Sequence, residues 1–76
     1  MIKITINSLE LEKIKYQVTE KTMPDIKTIN YYIDGIFIGT KLNEKGTIEF
    51  TAHFNNGNEV QEVLNKYVIR YTKEKI

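Results

Sequence analysis

The dipeptide Asp34-Gly35 stands between two apolar residues, Ile33 and Ile36, and no other feature limits the folding of this chain so tightly. A two-residue turn of this kind needs positive φ at both central positions, which Asp tolerates and Gly adopts freely. On one side Ile29, Tyr31 and Ile33 alternate with Thr28, Asn30 and Tyr32; on the other lie Ile36, Phe37 and Ile38. The turn predicts a hairpin that pairs Ile33 with Ile36, Tyr32 with Phe37, Tyr31 with Ile38 and Asn30 with Gly39.

A second turn can be registered independently. Asn43-Glu44-Lys45-Gly46-Thr47 has the composition of a type I turn closed by a left-handed Gly. It predicts Leu42 opposite Ile48, Lys41 opposite Glu49, Thr40 opposite Phe50, Gly39 opposite Thr51, Ile38 opposite Ala52, Phe37 opposite His53 and Ile36 opposite Phe54. Residues 28 to 54 therefore read as a three-stranded meander. Slipping the last strand by one residue would bury Glu49 and His53, so the hydrophobic pattern opposes it.

A helix is predicted from residue 58 to 73. Asn56-Gly57 makes a turn, Asn58 is a good N-cap, and Gln61 completes a variant of the capping box. Val60, Val63, Leu64, Tyr67, Val68 and Tyr71 recur at helical spacing. Glu59 and Glu62 near the start, with Lys66, Arg70, Lys73 and Lys75 toward the end, complement the helix dipole. In the N-terminal third, Ile2, Ile4 and Ile6 form one strand. Ile14, Tyr16 and Val18 suggest a second, with a short helix over Leu11, Ile14 and Val18 as its competitor. Thr19 to Lys27 is expected to be a connecting loop. The fold class is thus α+β: a mostly antiparallel sheet of about five strands packed on one C-terminal helix, in a single domain over residues 1–76.

Such a short chain buries only roughly 60% of its unfolded surface and has no cysteine to reinforce it. The opening Met1-Ile2-Lys3-Ile4 alternates like a strand and lacks the apolar core of a signal peptide, which suggests a cytoplasmic protein. Catalytic chemistry has little to draw on. Ser8 is the only serine and His53 the only histidine, with no nucleophile elbow around the former. One histidine and dispersed carboxylates give no metal-ligand cluster, and no glycine-rich phosphate loop is present, so neither enzyme nor cofactor is expected.

Ten of the eleven basic residues are lysine, and net charge is +1. Arg70 is the only arginine, which points away from bidentate reading of bases. Three strands followed by a helix resembles the second part of a double-stranded-RNA-binding domain. That family presents lysines at the start of its last helix; Glu59 and Glu62 stand there instead, so the resemblance ends at topology. Lys66, Arg70 and Lys73 at i, i+4 and i+7 are the nearest thing to a basic stripe, with dipole complementation as the plainer account.

The helix can cover only one face of the sheet. On the other, the predicted registers set Thr28, Lys41 and Glu49 in one row, Asn30, Gly39 and Thr51 in the next, and Tyr32, Phe37 and His53 in the third. Two aromatics and an imidazole on an uncovered face suggest a partner-binding patch, with Gly39 leaving a shallow dip beside Phe37 and Thr51 flanking it. The competing accounts are a cross-strand aromatic pair that only stabilises the hairpin, or a face buried by the N-terminal segment. Ile69, set opposite the apolar helix stripe, joins Lys66, Arg70 and Lys73 as a secondary candidate surface. The abundance of Lys, Ile, Asn and Tyr suggests an AT-rich genome. The function expected from these features is a non-enzymatic protein-binding module. Phages and mobile elements use such modules, the anti-CRISPR proteins among them, to block a host enzyme or defence complex by occupying its surface. A nucleic-acid-binding module using lysine-rich surfaces is the alternative, and a subunit that self-assembles or dimerises through a sheet edge is the third reading.

Overall fold

The computed structural model describes residues 1–24, 26–42 and 47–76. In chain order the elements are β1 (Ile2–Asn7), a 3-10 turn (Ser8–Leu11), β2 (Gln17–Thr22), β3 (Lys27–Ile33), β4 (Ile36–Leu42), β5 (Glu49–Phe54), α1 (Asn58–Lys66) and β6 (Thr72–Lys75). The strands form one six-stranded antiparallel sheet in the order β2-β3-β4-β5-β1-β6. The α+β class and the single helix on one sheet face follow the sequence pattern, with one strand more than expected.

The first turn forms as its residues dictate: Asp34 and Gly35 have φ of 53° and 79°, and Ile33 faces Ile36. Tyr32 faces Phe37 as expected, but the register then shifts, and Tyr31 faces Gly39 instead of Ile38. Ile38 is the extra residue of a β-bulge. The bulge keeps Ile38 fully buried and inverts the parity of β4 beyond it. Gly39 and Lys41 turn toward the helix side with Tyr31 and Ile29, while Thr40 and Leu42 turn outward with Asn30 and Thr28. Leu42, expected inside, is 48% exposed.

The bulge also corrects the second register. Thr40 faces Thr51, where the sequence pattern set Thr40 against Phe50 and Gly39 against Thr51. The one-residue slip is absorbed by β4 and leaves β5 unchanged, so Phe50 stays buried and Glu49 and His53 stay exposed. The turn expected over 43–46 lies outside the described residues.

Gly57 replaces Asn58 as the N-cap of α1, with φ of 68°; the Asn56 side chain accepts from the Asn58 backbone N–H at 3.0 Å. A Cβ on Gly57 would come within 2.5 Å of Ile2 Cδ1, so the position combines a left-handed backbone with a close approach to β1. Gln61 does not form a capping box. Its amide reaches from α1 to β6, accepting from the Tyr71 hydroxyl at 3.3 Å and from Lys73 Nζ at 3.2 Å.

The helix ends at Lys66, seven residues before the expected 73. Val68 adopts φ of 55°, and the Val68 and Ile69 amides close back onto Asn65 and Leu64 carbonyls at 3.1 and 2.9 Å. This is a left-handed C-terminal cap. The chain then returns along β1, whose second edge would otherwise carry unpaired backbone groups, and Thr72 to Lys75 pair with Thr5 to Ile2.

The N-terminal region departs from the expected second strand over 13–18. The change of parity at Leu9 and Leu11 is made by the 3-10 turn, whose N-cap Asn7 accepts from the Leu9 amide at 2.9 Å. It inserts Leu11 into the core. β2 starts later, at Gln17, and takes in Thr19 to Thr22, the first part of the segment expected to be a loop. Its residues are all exposed, which is why no apolar alternation announced it. The core comprises Ile4, Ile6, Leu11, Tyr31, Ile33, Ile38, Phe50, Val60, Val63, Leu64 and Ile69.

Candidate functional site

The outward sheet face follows from the registers. Every described element outside the sheet sends its buried residues to the opposite face: Leu11 from the 3-10 turn and Val60, Val63 and Leu64 from α1. The N-terminal segment enters the sheet as β1 and does not fold across the outward face.

One row crosses all six strands. Thr72 faces Thr5, Thr5 faces Thr51, Thr51 faces Thr40, Thr40 faces Asn30, and Asn30 faces Thr19. Thr40 Oγ1 donates to Asn30 Oδ1 at 2.7 Å. A shallow trough lies over the middle of this row, at Thr5, Thr51 and Thr40, bordered by Lys3, Leu42 and Glu49. The sequence pattern identified only Thr51 and Asn30 as members, because the row depends on the bulge and on β6.

Tyr32 and Phe37 lie at one end of this face. Their ring centroids are 5.7 Å apart at 60°, an edge-to-face pair. Tyr32 shares a 3.4 Å hydrogen bond with Thr19 Oγ1, which holds its ring over the β2–β3 junction. The Phe37 and Phe54 ring centroids lie 6.1 Å apart, and both rings line a cavity with residues 55–60 at the start of α1. Tyr32 and Phe37 are both half-buried. His53 is exposed on the outward face and sits opposite Lys3.

Gly39 is not part of this surface. It is buried on the covered face, where a Cβ would approach Phe50 Cδ2 to 2.6 Å. Phe50 in turn stacks on Tyr31, with centroids 4.4 Å apart. Gly39 therefore makes room for an aromatic core stack, and no dip beside Phe37 arises from it. Burial, with the nearby charges of Tyr16 and Glu20, raises the Tyr31 phenol above its ordinary range.

The secondary surface does not assemble. Ile69 is 4% exposed, because the left-handed Val68 turns it into the core. The three bases lie on three different elements: Lys66 on α1, Arg70 on the connection and Lys73 on β6. Each contacts a neighbour. Lys66 Nζ lies 3.1 Å from Asp34 Oδ2, Arg70 Nε lies 3.8 Å from Glu10 Oε1, and Lys73 donates to Gln61.

Asp34 has a structural role that the sequence did not suggest. The Tyr67 hydroxyl donates to its carboxylate, at 2.8 Å to Oδ2, alongside Lys66. The two residues at the end of α1 thus clamp the first hairpin turn. The Tyr67 hydrogen bond, then Lys66, holds the Asp34 carboxyl below its usual range, and the same contact raises Lys66.

Among the described residues no group of three or more His, Asp or Glu side chains could hold a metal ion, and no helix is long and apolar enough to cross a membrane. No family model, curated protein or solved structure matches the chain.

Proposed function

We propose that this chain is a non-enzymatic protein-binding module that docks a partner on its outward sheet face, with Tyr32 and Phe37 as the anchor. The observation that carries this reading is the edge-to-face pair on the sheet face opposite the buried residues of α1 and the 3-10 turn. Aromatic rings provide large contact area at low entropy cost and are enriched among residues that dominate binding energy. Beside them, the row of threonines and Asn30 offers hydroxyl and amide groups that can satisfy a partner's polar rim. Charges of both signs border the face, Lys3 and Glu74 opposite each other among them, which suits a protein surface better than a polyanion. The mode of action is occupation of a partner's surface, as small phage and mobile-element inhibitors of host enzymes and defence complexes do. The nucleic-acid alternative draws no support from the bases, since Lys66, Arg70 and Lys73 lie on three different elements and each contacts a neighbouring side chain.

The test is affinity capture from lysate of the natural host with wild-type protein, Tyr32→Ala and Phe37→Ala, alongside thermal melts. A protein recovered with wild type and lost with both folded variants supports the reading. Equal recovery with all three refutes it.

A further inference from the structure

We propose that β2 is a self-complementary edge through which two copies of this chain join into one continuous antiparallel sheet. β2 pairs only with β3 and is exposed along its whole length. Which of its backbone groups are free can be worked out. Met23 and Ile26 exchange both backbone hydrogen bonds, at 2.8 and 3.2 Å, and lie in the register that continues through Lys21 with Thr28 and Thr19 with Asn30. Hydrogen-bonded and non-hydrogen-bonded pairs alternate along an antiparallel ladder. The amides and carbonyls of Gln17, Thr19 and Lys21 therefore point to β3. Those of Val18, Glu20 and Thr22 point away from the sheet, where no described strand receives them.

A two-fold axis perpendicular to the sheet sets one β2 residue against its own copy, and side-chain charge selects which. Centring on Glu20 opposes two carboxylates. Centring on Lys21 opposes two ammonium groups, and centring on Val18 sets Lys21 against Lys15. Centring on Thr19 opposes no like charges. Thr19 then faces Thr19, Gln17 faces Lys21, and Val18 faces Glu20, so the outward-pointing groups of Val18 and Glu20 meet as hydrogen-bonded pairs. Lys27, 3.3 Å from Glu20, neutralises that carboxylate beside the joint.

The other edge is built differently. Met1 accepts from the Ile76 amide, so by the same alternation the free groups of β6 belong to Lys73 and Lys75. Any two-fold register that pairs the whole of β6 opposes lysine to lysine, the usual protection of an edge strand. β2 lacks that protection: it carries no proline, and its free positions are a valine, a threonine and an already paired glutamate. The two-fold axis keeps both outward faces on one side, so the joined sheet presents two Tyr32–Phe37 pairs to a partner together.

The experiment is light scattering after size-exclusion chromatography, from low micromolar to near-millimolar protein. Wild type should move from the monomer mass toward twice that mass. Glu20→Pro removes an amide that points away from β3, so it should hold the protein monomeric without changing its melt. Thr19→Pro, whose amide points to β3, should lower the melt instead. Because Val18 faces Glu20 of the second copy, Val18→Glu should weaken association and Val18→Lys should tighten it, each by roughly five- to tenfold over the two equivalent contacts. A wild type that stays monomeric throughout overturns the proposal. So does a dimer that persists in folded Glu20→Pro, insensitivity to the charge at Val18, or growth beyond twice the monomer mass, which would indicate head-to-tail pairing of β2 with β6.

Discussion

Val68→Gly should stabilise this domain, and the sign of that effect separates two structures for its C-terminal quarter. Val68 adopts φ of 55° and is 85% exposed. A left-handed backbone costs a residue with a Cβ about 1–2 kcal/mol, and a β-branched side chain is poorly suited to it. Glycine removes that cost but restores about 0.5–1 kcal/mol of unfolded-state entropy. Little packing is lost from so exposed a side chain. The net expectation is a gain of about 1 kcal/mol, or a rise of roughly 4–8 °C in Tm for a domain of this size. If residues 58 to 73 instead formed one helix, Val68 would lie on its apolar stripe. Glycine there would combine a poor helix propensity with the loss of a buried valine and would destabilise by about 2 kcal/mol or more. Urea and thermal denaturation of both proteins measure the difference. A loss of stability would refute the left-handed cap and, with it, the placement of β6.

Gly39→Ala should cost about 1–3 kcal/mol, because its Cβ would press on a Phe50 ring held by Tyr31; a neutral result in urea denaturation would remove the bulge from the account. Leu64, fully buried in α1, should cost about 2–5 kcal/mol on truncation to Ala in the same assay. Asp34→Asn keeps a residue tolerant of the left-handed turn but removes the charge that accepts from Tyr67 and attracts Lys66. Because the fold lowers the Asp34 pKa, the carboxylate stabilises above the unfolded value of about 4, and the contribution fades as pH falls through the folded value. The stability difference between wild type and Asp34→Asn should therefore be constant near neutrality and shrink below pH about 4; a difference that persists at lower pH would contradict the clamp.

The parts of the fold legible in the sequence are those where local chemistry and burial agree. Asp34-Gly35 specifies its own turn, and Phe50 and Phe54 alternate with Glu49, Thr51 and His53 in a strand buried on one face only. That turn was enough to bring Tyr32 and Phe37 together. β2 was not legible because both its faces meet solvent, leaving no period to detect. The bulge left one sign, Gly39 inside a strand, which marks close approach of another group. The helix stripe continued past Lys66 by coincidence of spacing. Residues 67 to 72, Tyr-Val-Ile-Arg-Tyr-Thr, are mostly β-branched or aromatic, and that composition signals extended chain more strongly than helix. The basic stripe and the exposure of Ile69 both depended on that extra helical length, so both failed together.

A partner protein docked as proposed on the outward face would shield Tyr32 and Phe37 from solvent. Hydroxyl-radical footprinting of the protein, in buffer and again in lysate of its natural host, tests it whatever the identity of that partner. Oxidation of Tyr32 and Phe37 should fall in lysate while exposed Met23, at the end of β2, is labelled equally in both. Unchanged labelling of Tyr32 and Phe37, or protection confined to the helix side around Tyr67, would contradict it.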